Sequence, residues 1–248
     1  MERAATILLC LMALAFVTSG ALFALADNPI NLLIPDIGTR ATGTLLPDDD
    51  SLAGLYLRPR HPATWILLFG LWLMLIASTL RQLWLIPSGR YLALADVALL
   101  IAALAAGTVW PWVAVQAPLA GFIICVTMLL ALIAAAKRKD SDGRLERSPV
   151  IGAFIGWATV LTFGAFATFL SNATMLPIEL AAVVGAMLTC GAAIAIQLWL
   201  PRNAAYTLTV MFALLASAAT TIDANPPLAV IAVLSISALT FLLVRVTT

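Results

Sequence analysis

Charge is scarce in this chain. Lys and Arg number 13 and Asp and Glu 12 among 248 residues, 10% of the sequence, while 63% is hydrophobic. A soluble domain carries about 25% charged residues, so the balance, with a mean hydropathy of +1.07, excludes one and defines an integral membrane protein. The net charge of +1 gives no pull toward an acidic partner. No basic cluster interleaved with aromatics is present, as nucleic-acid binding would require. The three cysteines, Cys10, Cys125 and Cys190, all lie inside apolar runs without C-x-x-C spacing. That excludes a disulfide framework and a zinc site and leaves buried, unreactive thiols. A single histidine, His61, cannot supply two axial haem ligands. No nucleophile–base–acid set, phosphate loop or metal-ligand spacing occurs, so the expectation is a protein that is not an enzyme.

What is present is long apolar runs. In the first, residues 4–26, Arg3 and Ala24-Leu25-Ala26 imitate a secretory signal with an A-x-A cleavage site. Its length of about 23 residues spans a hydrocarbon core of about 30 Å, so it reads as a retained helix. Leu9 is too large for a lipobox before Cys10. Residues 27–62 break the pattern with Asp27, Asp36, Asp48, Asp49 and Asp50 and with Pro29, Pro35, Pro47, Pro59 and Pro62, a spacing that forbids a long helix. Seven further spans are predicted at 63–86, 91–110, 113–136, 150–170, 177–199, 204–222 and 227–245. Runs without alternation exclude a barrel. Pro87 and Pro201 follow helix ends, Pro111 and Pro226-Pro227 mark tight turns, and Pro118 either kinks the fourth span or defines its first turn.

With the N-terminus inside, Arg3, Arg81, Arg90, Lys137, Arg138, Lys139, Arg144, Arg147, Arg202 and Arg245 are cytoplasmic, against Arg40, Arg58 and Arg60 outside. This bias predicts a multi-pass protein of the bacterial inner (cytoplasmic) membrane with both termini cytoplasmic.

The chain also repeats itself. Gln82-Leu83-Trp84-Leu85 returns as Gln197-Leu198-Trp199-Leu200, and at the same offset of 115 Pro62, Gly70, Tyr91 and Pro111 match Pro177, Gly185, Tyr206 and Pro226. From 62 to 119 there are 18 identities in 58 positions, against roughly 6 or 7 expected by chance in so Ala- and Leu-rich a chain. Thr18-Ser19-Gly20-Ala21 resembles Thr162-Phe163-Gly164-Ala165, which aligns Asn28 with Asn172 at an offset of 144, and the 29-residue difference between the offsets is an insertion in the outer loop. The fold expected is therefore all-α, with eight transmembrane helices as two parallel four-helix repeats. Residues 1–136 form the first repeat with its outer loop 27–62, residues 137–149 a cytoplasmic linker, and residues 150–248 the second repeat. A pseudo-twofold along the membrane normal would relate the repeats.

Trp65, Trp110 and Trp112 lie near the outer span ends and Trp84 and Trp199 near the inner ends, the pattern of an interfacial aromatic belt. Trp72 and Trp157 lie deeper and either pack between helices or line a pocket for a flat apolar ligand. Gln82 and Gln197 read as interfacial anchors beside their tryptophans, Asn28 and Asn172 as helix C-terminal caps. Asp96, about one and a half turns into the third span, contacts water or Arg90, Glu179 suits a helix N-terminus, and Asp223 closes the seventh span. Gly152 and Gly156 make a GxxxG motif that permits close helix contact. No charge sits at the midplane, which argues against an ion-coupled transporter.

Gly156-Trp157-Ala158-Thr159-Val160, Arg202-Asn203-Ala204-Ala205-Tyr206 and Met211-Phe212-Ala213-Leu214-Leu215 resemble bacterial tryptophan-rich sensory proteins, the eight-span relatives of the TspO/translocator family. Pro59 with Leu68-Phe69-Gly70-Leu71-Trp72 resembles their proline and Ile-Trp-Gly-Leu segment, with Phe69 where the family has Trp. The five-helix translocator proteins bind porphyrins and sterols, so the resemblance implies a site for a flat apolar molecule. The resulting expectation is a non-enzymatic protein binding a tetrapyrrole (porphyrin), a carotenoid or other isoprenoid, or a lipid-like ligand between its halves. Trp65, Phe69, Trp72, Trp110 and Trp112 are the candidate ligand-binding residues. The alternatives are an accessory subunit of a respiratory or photosynthetic membrane complex and, third, a small-molecule transporter.

Overall fold

The computed structural model describes residues 2–25, 52–57, 59, 61–85, 92–138, 145–200, 203–222 and 225–247. Among these the regular structure is entirely helical: α1 (Glu2–Leu25), a short α2 (Leu52–Leu57), α3 (Pro62–Leu85), α4 (Leu94–Ala114), α5 (Pro118–Lys137), α6 (Pro149–Thr174), α7 (Ile178–Trp199), α8 (Ala204–Thr221) and α9 (Pro226–Thr247). Eight of them, all but α2, are long and apolar enough to cross a membrane. The chain is an all-α, eight-span membrane protein.

One turn is displaced from its expected place. Pro111 lies inside α4, which continues to Ala114, and the chain turns only at 115–117, where the Gln116 and Ala117 amides donate to the Val113 carbonyl at 3.1 and 2.9 Å. Pro118 then occupies the first turn of α5, where its missing N–H costs nothing. Pro111 removes one bond of the α4 ladder, the one to the carbonyl of Gly107, without ending the helix.

The bundle is organised around α6. Every residue from Ile151 through Thr162 is buried, and α5, α7 and α8 pack along it, with α2 and α3 adding smaller contacts. A helix buried on all sides must be apolar all round, and small residues let neighbours come close. A Cβ on Gly156 would stand 2.7 Å from the Tyr206 carbonyl oxygen of α8, and one on Gly152 would overlap the Asn203 side chain. Asn203 needs that position. Its Nδ2 donates to the Glu146 and Ser148 carbonyls at 2.8 and 3.0 Å, tying the start of α8 to the approach of α6.

The first four spans are joined in the same order as the last four, α1 on α4 and α4 on α5 corresponding to α6 on α8 and α8 on α9. The match is incomplete. Helix α7 packs on both α6 and α9, whereas α3 divides itself among α1, α8 and α6 and makes no comparable contact with α5 among the described residues. The joint between the halves is α5 on α6, and α9 on α1, which a pseudo-twofold would place opposite, is not among the principal contacts of the described residues.

Asp96 sits in the first turn of α4, because the helix begins at Leu94, and not one and a half turns in. Its carboxylate is fully buried and 2.8 Å from Nε of Arg138, just past the end of α5. Arg90 lies outside the described residues, as do Asn28, Asp223 and most of the 27–62 and 137–149 segments. Asn172 is not a terminal cap: it donates back to the Thr168 carbonyl within the last turn, and Met175, at φ 56°, ends α6.

Substituting Gly156 by Val should lower stability by about 1–3 kcal/mol through overpacking. Gly70→Ala and Gly191→Ala, whose added methyl groups meet nothing within 4 Å, should leave stability unchanged or raise it by up to about 1 kcal/mol. Thermal unfolding in detergent micelles reads both. Asp96→Ala should cost about 1–3 kcal/mol in the same assay, less than a fully buried pair because Arg138 is 37% exposed.

Candidate functional site

An aromatic cavity lies where α1, α3, α4 and α6 converge, with α2 beside it. Helix α1 contributes Phe16, Gly20 and Phe23, and α2 contributes Tyr56. Leu68 and Trp72 come from α3, Gly107, Trp110 and Pro111 from α4, and Trp157 from α6. Its free volume is about 20 Å³, enough for one water-sized group, which needs about 10–15 Å³.

The walls are rigid for identifiable reasons. Phe16 meets Phe154 and Trp157 edge-on at 5.3 and 5.8 Å, and Phe154 stacks on Trp157 at 5.7 Å, so the α6 indole is held by rings of α1 and of its own helix. Gly20 leaves room for the six-membered ring of Trp72, whose nearest atom would lie 3.2 Å from a Cβ there. Tyr56 donates to the Ala213 carbonyl at 2.9 Å and shares a 2.8 Å bond with Ser217, fastening α2 to α8. Burial pushes the Tyr56 phenol above its ordinary pKa, with the Ser217 bond opposing, so it remains a neutral donor.

The polar balance of the cavity is incomplete. Trp110 and Trp157 are buried to 2% and 4% exposure, and neither indole Nε1 has a hydrogen-bond partner among the described residues. A buried donor without an acceptor costs about 1–3 kcal/mol. On α4, beside Trp110, Pro111 has no N–H to offer the Gly107 carbonyl. Two donors and one carbonyl deprived of its helical amide thus belong to residues of a single cavity.

The five tryptophan and phenylalanine positions expected to bind a ligand are divided by the structure. Trp72 and Trp110 line the cavity. Trp65 and Phe69 lie on the same helix as Trp72, stacked on each other at 5.2 Å, and Phe69 touches Trp72 edge-on at 5.5 Å while remaining 55% exposed. Trp112 is engaged elsewhere: its Nε1 donates to Ser19 at 2.9 Å, and Ser19 donates to the Thr108 carbonyl at 2.8 Å. Trp110 is therefore no belt residue, whereas Trp84 and Trp199, at 86% and 61% exposed, fit one. Trp157 packs between helices, against Phe16 of α1, and also borders the cavity. The α1 rings and Tyr56 were not singled out by the sequence, since lone Phe residues in an apolar run carry no spacing that marks them.

A tetrapyrrole plane does not fit a cavity of about 20 Å³. His61 stands at the start of α3, its Nδ1 accepting the Ala63 amide at 3.2 Å, and is not among the cavity residues. Among the described residues no group of three His, Cys, Asp or Glu could hold a metal ion. No family model, curated protein or solved structure matches this chain.

Tyr56→Phe should cost about 1 kcal/mol by loosening α2 from α8. Because the folded phenol ionises above the ordinary tyrosine value near 10, stability should fall as pH rises past that value, where the unfolded chain ionises first. The fall should be shallower in Tyr56→Phe, measured as the unfolding midpoint from pH 9 to 11.

Proposed function

We propose that this protein is a non-enzymatic membrane protein, of the kind that the tryptophan-rich sensory resemblance suggests, that binds a lipid-like molecule through one oxygen-bearing group. The group is a hydroxyl or carbonyl of an isoprenoid or similar chain, seated in the aromatic cavity. The observation that carries the reading is the pair of buried indole N–H groups, Trp110 of α4 and Trp157 of α6, both belonging to residues of one cavity and without acceptors among the described residues. An oxygen there accepts from an indole, and a hydroxyl can also donate to the carbonyl that Pro111 leaves without its amide. The apolar remainder of such a ligand has a surface to follow. Trp65 and Phe69 continue the aromatic face of α3 from Trp72 outward, and Phe69 is exposed where lipid would surround it. The cavity's size favours the isoprenoid and lipid-like classes over a porphyrin ring.

Intrinsic tryptophan fluorescence of the purified protein, titrated with a C20 prenyl alcohol, tests this reading. Saturable quenching is expected, about fivefold to tenfold weaker for the corresponding prenyl hydrocarbon and for Trp110→Phe or Trp157→Phe, the worth of one hydrogen bond. Equal binding of alcohol and hydrocarbon, or of wild type and both variants, would sink it.

A further inference from the structure

A second opening lies at the other end of α3. A cleft of about 590 Å³ separates the last turns of α3, including Ser78, Arg81 and Gln82, from the start of α6 at Ser148, Pro149 and Val150. Such a volume is that of a ligand pocket. Its lining is mixed: Met74, Ala77, Leu92 and Leu145 are apolar, while Arg81 and Gln82 bring a fixed charge and an amide. Arg81 has no carboxylate within ion-pair distance among the described residues.

The internal repeat supplies the comparison that gives this cleft meaning. At the offset of 115, Ser78, Arg81 and Gln82 correspond to Ala193, Ile196 and Gln197. In the second half that place is shut. Ala193, Ile196 and Gln197 are all buried, and Gln197 is satisfied inside the protein, accepting from Thr207 and donating to the Leu200 carbonyl at 3.1 Å. The counterpart of Thr207 is Leu92, which has no hydroxyl. Gln82 has no hydrogen-bond partner among the described residues and borders the cleft, and where Ile196 fills space the first half carries a cation. Trp84, three residues beyond Arg81 and 86% exposed, marks this depth as the level of the lipid headgroups.

We infer that the cleft between α3 and the start of α6 binds the phosphate group of an anionic phospholipid, held by Arg81 and Gln82. The guanidinium matches two phosphate oxygens in a fork that a lysine could not offer. The Gln82 amide donates to the second lone pair of one of these oxygens, and Met74, Ala77 and Leu92 face the glycerol and first methylenes. A lipid phosphodiester and a soluble phosphate monoester share this chemistry, and the test separates them.

The full-length protein, purified and reconstituted in nanodiscs of phosphatidylcholine with or without phosphatidylglycerol, provides the measurement. Phosphatidylglycerol should raise the unfolding temperature, and native mass spectrometry should show it retained on the wild type. Retention should fall about tenfold or more in Arg81→Gln, whose side chain is exposed and whose fold should be unaffected, and fall less in Gln82→Leu. Arg245→Gln, another exposed cation on the same side of the bundle, should retain lipid like the wild type. Equal loss in Arg245→Gln, or no preference for phosphatidylglycerol in the wild type, would overturn the proposal. Glycerol 3-phosphate giving the same stabilisation in phosphatidylcholine discs would overturn the lipid source and assign the cleft to a soluble phosphate.

Discussion

The approach of α6 to α8 through Gly152 and Gly156 is the constraint on which the rest of the bundle depends. With no water to drive apolar surfaces together inside a bilayer, helices associate through packing and hydrogen bonds. Absent side chains on α6 let the Tyr206 carbonyl and the Asn203 amide sit against its backbone. Asn203 then uses both hydrogens of its amide on the chain leading into α6, so one contact fixes both the distance and the axial register of the two helices. Once α8 is seated there, its Ala213 carbonyl and Ser217 hydroxyl are placed to receive Tyr56. The same rotation of α6 that turns its glycines to α8 leaves Trp157 against the Phe16 ring of α1.

The aromatic cavity is a product of that centre. Phe16, Phe154 and Trp157 interlock across α1 and α6, and α4 closes the space with Gly107, Trp110 and Pro111. Two residues apart on a helix differ by about 200° in direction, which is why Trp110 and Trp112 have different fates. Trp112 reaches Ser19 and is satisfied, whereas Trp110 is not. Among the described residues the buried side-chain atoms without a hydrogen-bond partner include atoms of Asp96 and Asn203 as well, but only the two indole donors belong to one cavity.

Eight spans were legible because a membrane demands about 20 apolar residues per crossing, and nothing finer is needed to see them. The end of the third span was not, because Pro111 suggests a turn while its actual cost is one hydrogen bond, to Gly107. Nor was the central role of α6: α5 is the more hydropathic of the two helices, yet α6 is the more buried. Burial inside a membrane bundle follows residue size more than apolarity, and Gly152-x-x-x-Gly156 said only that close packing was permitted. Of the candidate site, Trp72 and Trp110 could be named from depth and residue type. Phe16, Phe23 and Tyr56 could not, since which α1 face meets which neighbour is decided by packing between segments far apart in the sequence.

The repeat itself was easy to see and easy to misjudge. Identical Gln-Leu-Trp-Leu segments suggest identical environments, and for the tryptophans that holds, both being exposed near a span end. The glutamines differ because a residue ten positions further on differs: Thr207 supplies a hydroxyl to Gln197, and Leu92 supplies none to Gln82. That single difference accompanies a larger one, since α7 is packed on two long neighbours and α3 on several lightly. The aromatic cavity and the Arg81 cleft both lie along this lightly seated α3. In the second half α7 is held on both sides, and the departure of α3 from that arrangement accompanies the open space beside Arg81 in the first.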